Sequence, residues 1–166
     1  MARILYLVRH AKSDWSVPGQ SDFDRALNKR GLFDAPLMGK ILKELHVKPD
    51  LAISSPALRA KTTAEYISEQ LEYPLEKISY DEEIYEASPR TLLRLINNLD
   101  DKNKSVMLFG HNPTFTYLAE YLSKEQLDNI PTAGAVKLHF EFDSWSLVTE
   151  GSAEMIWFEY PKKYKT

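Results

Sequence analysis

The chain has no cysteine. Disulfides, a thiolate nucleophile and cysteine-ligated metal sites are therefore excluded, and the absence fits a cytoplasmic protein. No apolar run approaches the ~20 residues of a membrane span. The apolar stretch near the N-terminus is too short for a secretory leader, and it is closed by Arg9 rather than by a small-residue cleavage site. Repeats, low-complexity tracts and long Gly/Ser linkers are also missing. So is a surplus of positive charge. The formal net charge is −3 with both signs interspersed, which argues against a nucleic-acid-binding face. What remains is a 166-residue chain sized for one domain with a real core. Residues 1–160 read as that domain, and 161–166 as a short basic tail, frayed and solvated.

Strand and helix patterns alternate along the chain. Residues 2–8 are a continuous run of mostly apolar β-formers, as expected of a strand buried on both faces in a parallel sheet. Lys12 to Arg30 is a long polar loop with a Pro18-Gly19 turn. Residues 31–46 carry a helical apolar stripe interrupted by Pro36, so the helix either starts near Asp34 or begins earlier and bends. Leu51–Ser54 is a short strand, followed by Ser55-Pro56 as an N-cap with proline in the first helical turn. Residues 77–80 form a weak third strand, and 81–87 a loop rich in carboxylates. Ser88-Pro89 repeats the cap-plus-proline signal. Val106–Phe109 is a further buried strand, after which Asn112-Pro113 caps and opens a helix. Residues 136–142 and 155–158 read as edge or hairpin strands, with Trp145 between them. This order predicts an α/β fold, helices packed around a mostly parallel sheet with right-handed crossovers.

Polar residues cluster at the strand ends. The first strand runs without a break into Arg9-His10, and Val106–Phe109 into Gly110-His111. Arg59 lies one turn into the helix after Leu51–Ser54. In open α/β sheets, ligands bind beyond the carboxyl ends of the strands. If these strands are parallel neighbours, two arginines and two histidines share one rim. Arginine matches phosphate oxygens bidentately and is always charged. The helix N-termini after Ser55 and Asn112 add to the attraction for a doubly charged group. A neutral imidazole is a competent nucleophile, and nearby cations keep it neutral. The set therefore points to phosphoryl transfer through a phosphohistidine. His46 and His139 read as structural.

Three motifs occur in order: Arg9-His10-Ala11, Ser54-Ser55-Pro56-Ala57-Leu58-Arg59, and Gly110-His111-Asn112-Pro113. In these the chain resembles the histidine phosphatase superfamily, with its phosphoglycerate-mutase-like, three-layer α/β/α fold. Arg9 to Ser13 and Asp24 to Gly31 look like the SixA-type phosphohistidine phosphatase branch. The resemblance implies that His10 accepts the phosphoryl group, that Arg9 and Arg59 bind it, and that His111 stabilises it. It implies neither a metal nor a cofactor. It also implies a glutamate proton donor in the loop after the third strand. Glu86 fits that place best, with Glu82 and Glu83 as competitors and with a solvated role for all three as the alternative. Two departures stand out. Ala11 replaces a signature glycine, and Ser16 stands where many relatives place a phosphate-contacting asparagine.

The expected substrate is a phosphorylated protein carrying phosphohistidine, or a small phosphate ester. Rival readings are a mutase, a non-catalytic phosphoprotein-binding module and a metal hydrolase. The last is disfavoured because the two histidines lack neighbours at ligand spacing. Oligomeric state is not legible.

Overall fold

A computed structural model describes residues 2–165. The elements are β1 (Arg3–Arg9), α1 (Lys29–Glu44), β2 (Leu51–Ser54), α2 (Leu58–Gln70), β3 (Ser79–Tyr80), α3 (Pro89–Asn97), β4 (Ser105–Gly110), α4 (Thr114–Ser123), β5 (Ala135–Phe140) and β6 (Glu154–Glu159). The six strands form one sheet in the order β3-β2-β4-β1-β5-β6. Parallel pairing joins β3 to β2, β2 to β4 and β4 to β1; β5 is antiparallel to both β1 and β6. Only β5 runs against the rest, so the sheet is mostly parallel, as expected.

Alternation along the central strands builds two cores. Leu5 and Leu7 of β1, with Val106 and Leu108 of β4, face Leu92 and Ile96 of α3 and Phe115 and Leu118 of α4. Tyr6, Val8, Met107 and Phe109 face the other way, onto Met38 and Leu42 of α1 and Ala64 and Ile67 of α2. Helices on both faces make the three-layer sandwich. Trp145 is fully buried beside Phe140, and its indole N–H donates to the Asn103 carbonyl at 2.7 Å.

Several boundaries differ from the sequence reading. Helix α1 starts at Lys29, because the Asn28 side chain accepts from Gly31 N at 2.9 Å and caps it there; the helix then runs through Pro36. Helix α2 starts only at Leu58, and Ser55 is not its cap. The Ser55 hydroxyl accepts locally from Ala57 N and is engaged by His111 instead. The third strand shrinks to Ser79–Tyr80 because residues 75–77 form a 3₁₀ turn. Ser88 caps α3 with Pro89 in its first turn, as expected. The tail is not frayed. Residues 161–164 form a 3₁₀ turn, Lys163 pairs with Glu159 at 2.6 Å, and Lys165 reaches the buried Asp34 of α1 at 2.6 Å. Thr166, the last residue of that expected tail, lies outside the described residues, as does Met1.

Gly31 sets the distance between α1 and the loop that follows β1. A Cβ there would stand 2.2 Å from the Lys12 carbonyl oxygen, a backbone atom with little freedom to retreat. Gly31→Ala is expected to destabilise the fold by about 1–3 kcal/mol, as overpacking does. Urea unfolding checks this, and an unchanged midpoint would refute the packing argument.

Candidate active site

The carboxyl ends of β2, β4 and β1 lie side by side. Arg9 pairs with Gly110 and Ser54 with Phe109, so the residues that follow each strand emerge on one rim. They line a cleft of about 300 Å³ whose wall includes Arg9, His10, Lys12, Asp22, Arg59 and His111. The four residues expected at the rim are therefore brought together. The His10 and His111 ring centroids are 5.3 Å apart. His139 is elsewhere: it pairs with Ile4, at the opposite end of β1.

His10 is buried, and its Nδ1 lies 2.7 Å from the Ala11 carbonyl oxygen. A carbonyl only accepts, so Nδ1 carries the proton and Nε2 keeps its lone pair. Burial pushes the His10 pKa down from 6.5 to about 3; the Ala11 hydrogen bond opposes the shift, and His111, Arg59 and Arg9 add to it. The imidazole is thus neutral, with one nitrogen free.

Ala11 is fully buried and is not among the residues with positive φ. The backbone here makes no demand that only glycine meets, which explains why alanine suffices. Its amide donates to Thr63 Oγ1 at 2.9 Å, and the Thr63 hydroxyl donates to the Arg59 carbonyl at 2.7 Å.

His111 Nε2 shares a hydrogen bond with Ser55 Oγ at 2.8 Å, while its Nδ1 is buried without a partner among the described residues. Burial is the main cause that lowers its pKa, to about 4, and Arg59 contributes. Arg9 donates one N–H to the Ile130 carbonyl at 2.9 Å. The Nε atoms of Arg9 and Arg59 are buried and unpartnered among the described residues.

Arg59 is held by Asp22, a residue the sequence reading missed. Its Nη1 donates to the Asp22 carbonyl at 2.7 Å and its Nη2 to Asp22 Oδ2 at 3.0 Å. Tyr85 donates to the same carboxylate at 2.7 Å and Arg25 at 2.9 Å. Desolvation pulls the Asp22 pKa upward, but the hydrogen bonds from Tyr85, Arg25 and Arg59 outweigh it and hold the carboxyl well below its ordinary range. Asp22 lies in a loop without periodicity, and nothing in the sequence distinguishes it from Asp14 or Asp24. Arg25 fell within the Asp24–Gly31 motif but had no assigned contact.

Other expectations are corrected here. Glu86 does not line the cleft; it is exposed on a left-handed backbone (φ 57°), while Ile84 turns into the core and Tyr85 reaches Asp22. Glu82 and Glu83 lie on the exposed side of the turn that Ile84 anchors, and Glu83 pairs with Arg94 at 3.6 Å. Ser16 is exposed and bonded to Asp14. At the N-terminus of α2 the first amide is already taken, since Leu58 N donates to the Phe23 carbonyl at 3.0 Å. Asn112 is not the cap of α4, whose N-cap position is Pro113, although the Asn112 Oδ1 accepts from Thr116 N at 3.2 Å and from Thr116 Oγ1 at 2.9 Å. Among the described residues, no group of three or more His, Asp or Glu side chains is placed to hold a metal ion, and no helix is long and apolar enough to cross a membrane.

Residues 5–89 match the family model described as histidine phosphatase superfamily, branch 1. An uncharacterised protein of Mycobacterium tuberculosis is 30% identical, over 93% of this chain and all of that one. A solved structure from Agrobacterium tumefaciens, assigned as phosphohistidine phosphatase SixA, is 31% identical, covering 96% of this chain and 98% of that one with a TM-score of 0.79. The protein histidine phosphatase SixA complexed with tungstate shares the fold at a TM-score of 0.83 and 22% identity, covering 98% and 99%.

The buried histidines make stability pH-dependent. In the unfolded chain His10 protonates near 6.5, while in the fold it resists until about 3. Below about pH 6.5 the unfolded state binds protons that the folded state does not. The contribution is therefore complete above that pH and is lost as pH falls toward the folded value. The urea midpoint should drop between about pH 7 and pH 4, and His10→Gln should flatten that drop. A slope unaltered in the variant would contradict the assignment.

Proposed function

The chain belongs to the histidine phosphatase superfamily, and from that premise we propose a metal-independent phosphatase that works through a phosphohistidine intermediate on protein phosphohistidine. The family assignment and the structural neighbours make it a phosphohydrolase. The observation that carries the finer reading is His10, a buried neutral imidazole whose tautomer leaves Nε2 free in a cleft shared with Arg9 and Arg59.

The phosphoryl group enters the cleft as a dianion. Asp22 uses two of the five N–H donors of Arg59, and Ile130 uses one of those on Arg9. Donors left on the two guanidinium groups bind equatorial oxygens and fix them for in-line attack. When the Ser55 hydroxyl donates to Nε2 of His111, Nδ1–H of that ring is free to donate to the same oxygens. These fixed donors stabilise charge as it spreads over the transferring group.

His10 Nε2 then forms a bond to phosphorus as the bond to the leaving group breaks. A phosphohistidine substrate departs as neutral imidazole, provided its ring was protonated beforehand. Water next attacks phosphorus, the bond to His10 breaks, and orthophosphate is released with the Nε2 lone pair restored. The Ala11 carbonyl stabilises the positively charged ring of the intermediate through Nδ1–H.

Because a ring-protonated phosphohistidine releases neutral imidazole, a good leaving group, this route does not depend on a carboxylic acid beside the cleft. That agrees with the outward placement of Glu82, Glu83 and Glu86. Support for a protein phosphohistidine substrate comes from likeness to the Agrobacterium tumefaciens SixA structure over nearly the full length of both chains.

His10→Ala is expected to abolish turnover, with wild-type activity unaffected by EDTA. Wild-type enzyme quenched in base after brief exposure to a labelled phosphohistidine protein should carry acid-labile label on His10. Full activity in His10→Ala would sink the mechanism, and phosphoprotein binding without phosphate release would leave a binding module instead. Glu86→Gln is expected to lower kcat on phosphohistidine protein by far less than the ~10²–10⁴-fold that loss of a general acid costs. A loss within that range would restore Glu86 as proton donor.

A further inference from the structure

Beside the cationic cleft stands a large aromatic side chain that the mechanism does not use. Trp15 lines the cleft, yet it is 72% exposed, the most of any large apolar side chain among the described residues. Its position is also held. The Asp14 amide donates to the Ala26 carbonyl at 2.8 Å, and the Asp14 carboxylate accepts from both Ser16 N (2.8 Å) and Ser16 Oγ (2.6 Å), so the backbone is tied down on both sides of Trp15. The Arg25 guanidinium lies 3.5 Å from the centroid of the indole. Arg25 is itself buried and anchored by Asp22 and by Ser13. One face of the indole is therefore clamped by a fixed cation, while most of the remaining ring surface meets solvent at the mouth of the phosphoryl site.

We infer that Trp15 is the specificity-determining residue for the leaving group, a platform on which a flat ring bonded directly to phosphorus stacks. This rests on the phosphatase reading above and narrows its substrate class. In a phosphohistidine the phosphorus is attached to the ring itself. With the phosphoryl group among Arg9, His10 and Arg59, the ring cannot extend far before it meets the cleft wall. In a phosphoserine a flexible methylene and an oxygen intervene, and nothing flat is presented. A rigid indole buries such a ring at low conformational cost. The clamp also makes chemical sense. Arg25 sits on one face of the indole as a cation–π partner, and the protonated ring of a bound phosphohistidine can use the same type of attraction at the remaining surface before it departs as neutral imidazole.

The test uses binding, so it does not depend on turnover. Phenylphosphonate, which carries a ring directly on phosphorus, and methylphosphonate, which lacks one, are titrated calorimetrically into wild-type protein, Trp15→Ala and Trp15→Tyr. Wild type is expected to prefer phenylphosphonate. Trp15→Ala should cut that preference by about two- to tenfold, the range of a single aromatic pair, and Trp15→Tyr should restore most of it. The kinetic counterpart is a rise in KM, with kcat little changed, for a phosphohistidine peptide in Trp15→Ala. Equal affinity of wild type for the two phosphonates, or a preference that survives in Trp15→Ala, would overturn the inference while leaving the phosphatase reading intact. Failure of both phosphonates to bind wild type would instead count against the phosphate pocket itself.

Discussion

The parallel pairing of β4 between β1 and β2 is the constraint on which the rest of this molecule depends. Each strand is followed at once by polar residues, and parallel neighbours deliver those residues to the same edge. Were β1 antiparallel to β4, Arg9-His10 and His111 would stand at opposite ends of the sheet. The pairing is held by side chains buried on both faces, so the two cores that stabilise the fold also fix the position of the histidines.

This explains what could be read from the sequence. Arg9, His10 and His111 each follow an apolar run directly, and Arg59 follows one after a short turn, so recognising the runs places the residues. The alternating strand and helix patterns carried the three layers in the same way. Side chains that arrive from irregular loops have no such marker. Asp22, Arg25 and Tyr85 meet only because the long loop after β1 folds back over α2 and the turn before α3. Ser55 was misread because a hydroxyl before proline has two uses, and the site outcompetes the helix for it. The placement of the glutamates was not legible for a related reason. Composition shows that a carboxylate is present but not which way it points, and the burial of Ile84 decides that.

Asp22 shows how one carboxylate can order a cluster of cations. In the proposed phosphate pocket a negative charge costs affinity unless it gives something back. Here it accepts from Arg59, Arg25 and Tyr85 at once and ties down a long side chain that would otherwise lose rotamer freedom on binding. The arginine is oriented before substrate arrives, at the expense of two of its donors.

The Thr63 hydroxyl has a consequence of a different kind. It accepts from the Ala11 amide, next to His10, and donates to the Arg59 carbonyl. One oxygen thus acts as a gauge block between a strand end and a helix turn. The two halves of the pocket cannot drift apart by more than a hydrogen bond tolerates, whatever the surrounding loops do. The loops around the cleft can therefore change without resetting the spacing between the Ala11 amide and the Arg59 carbonyl.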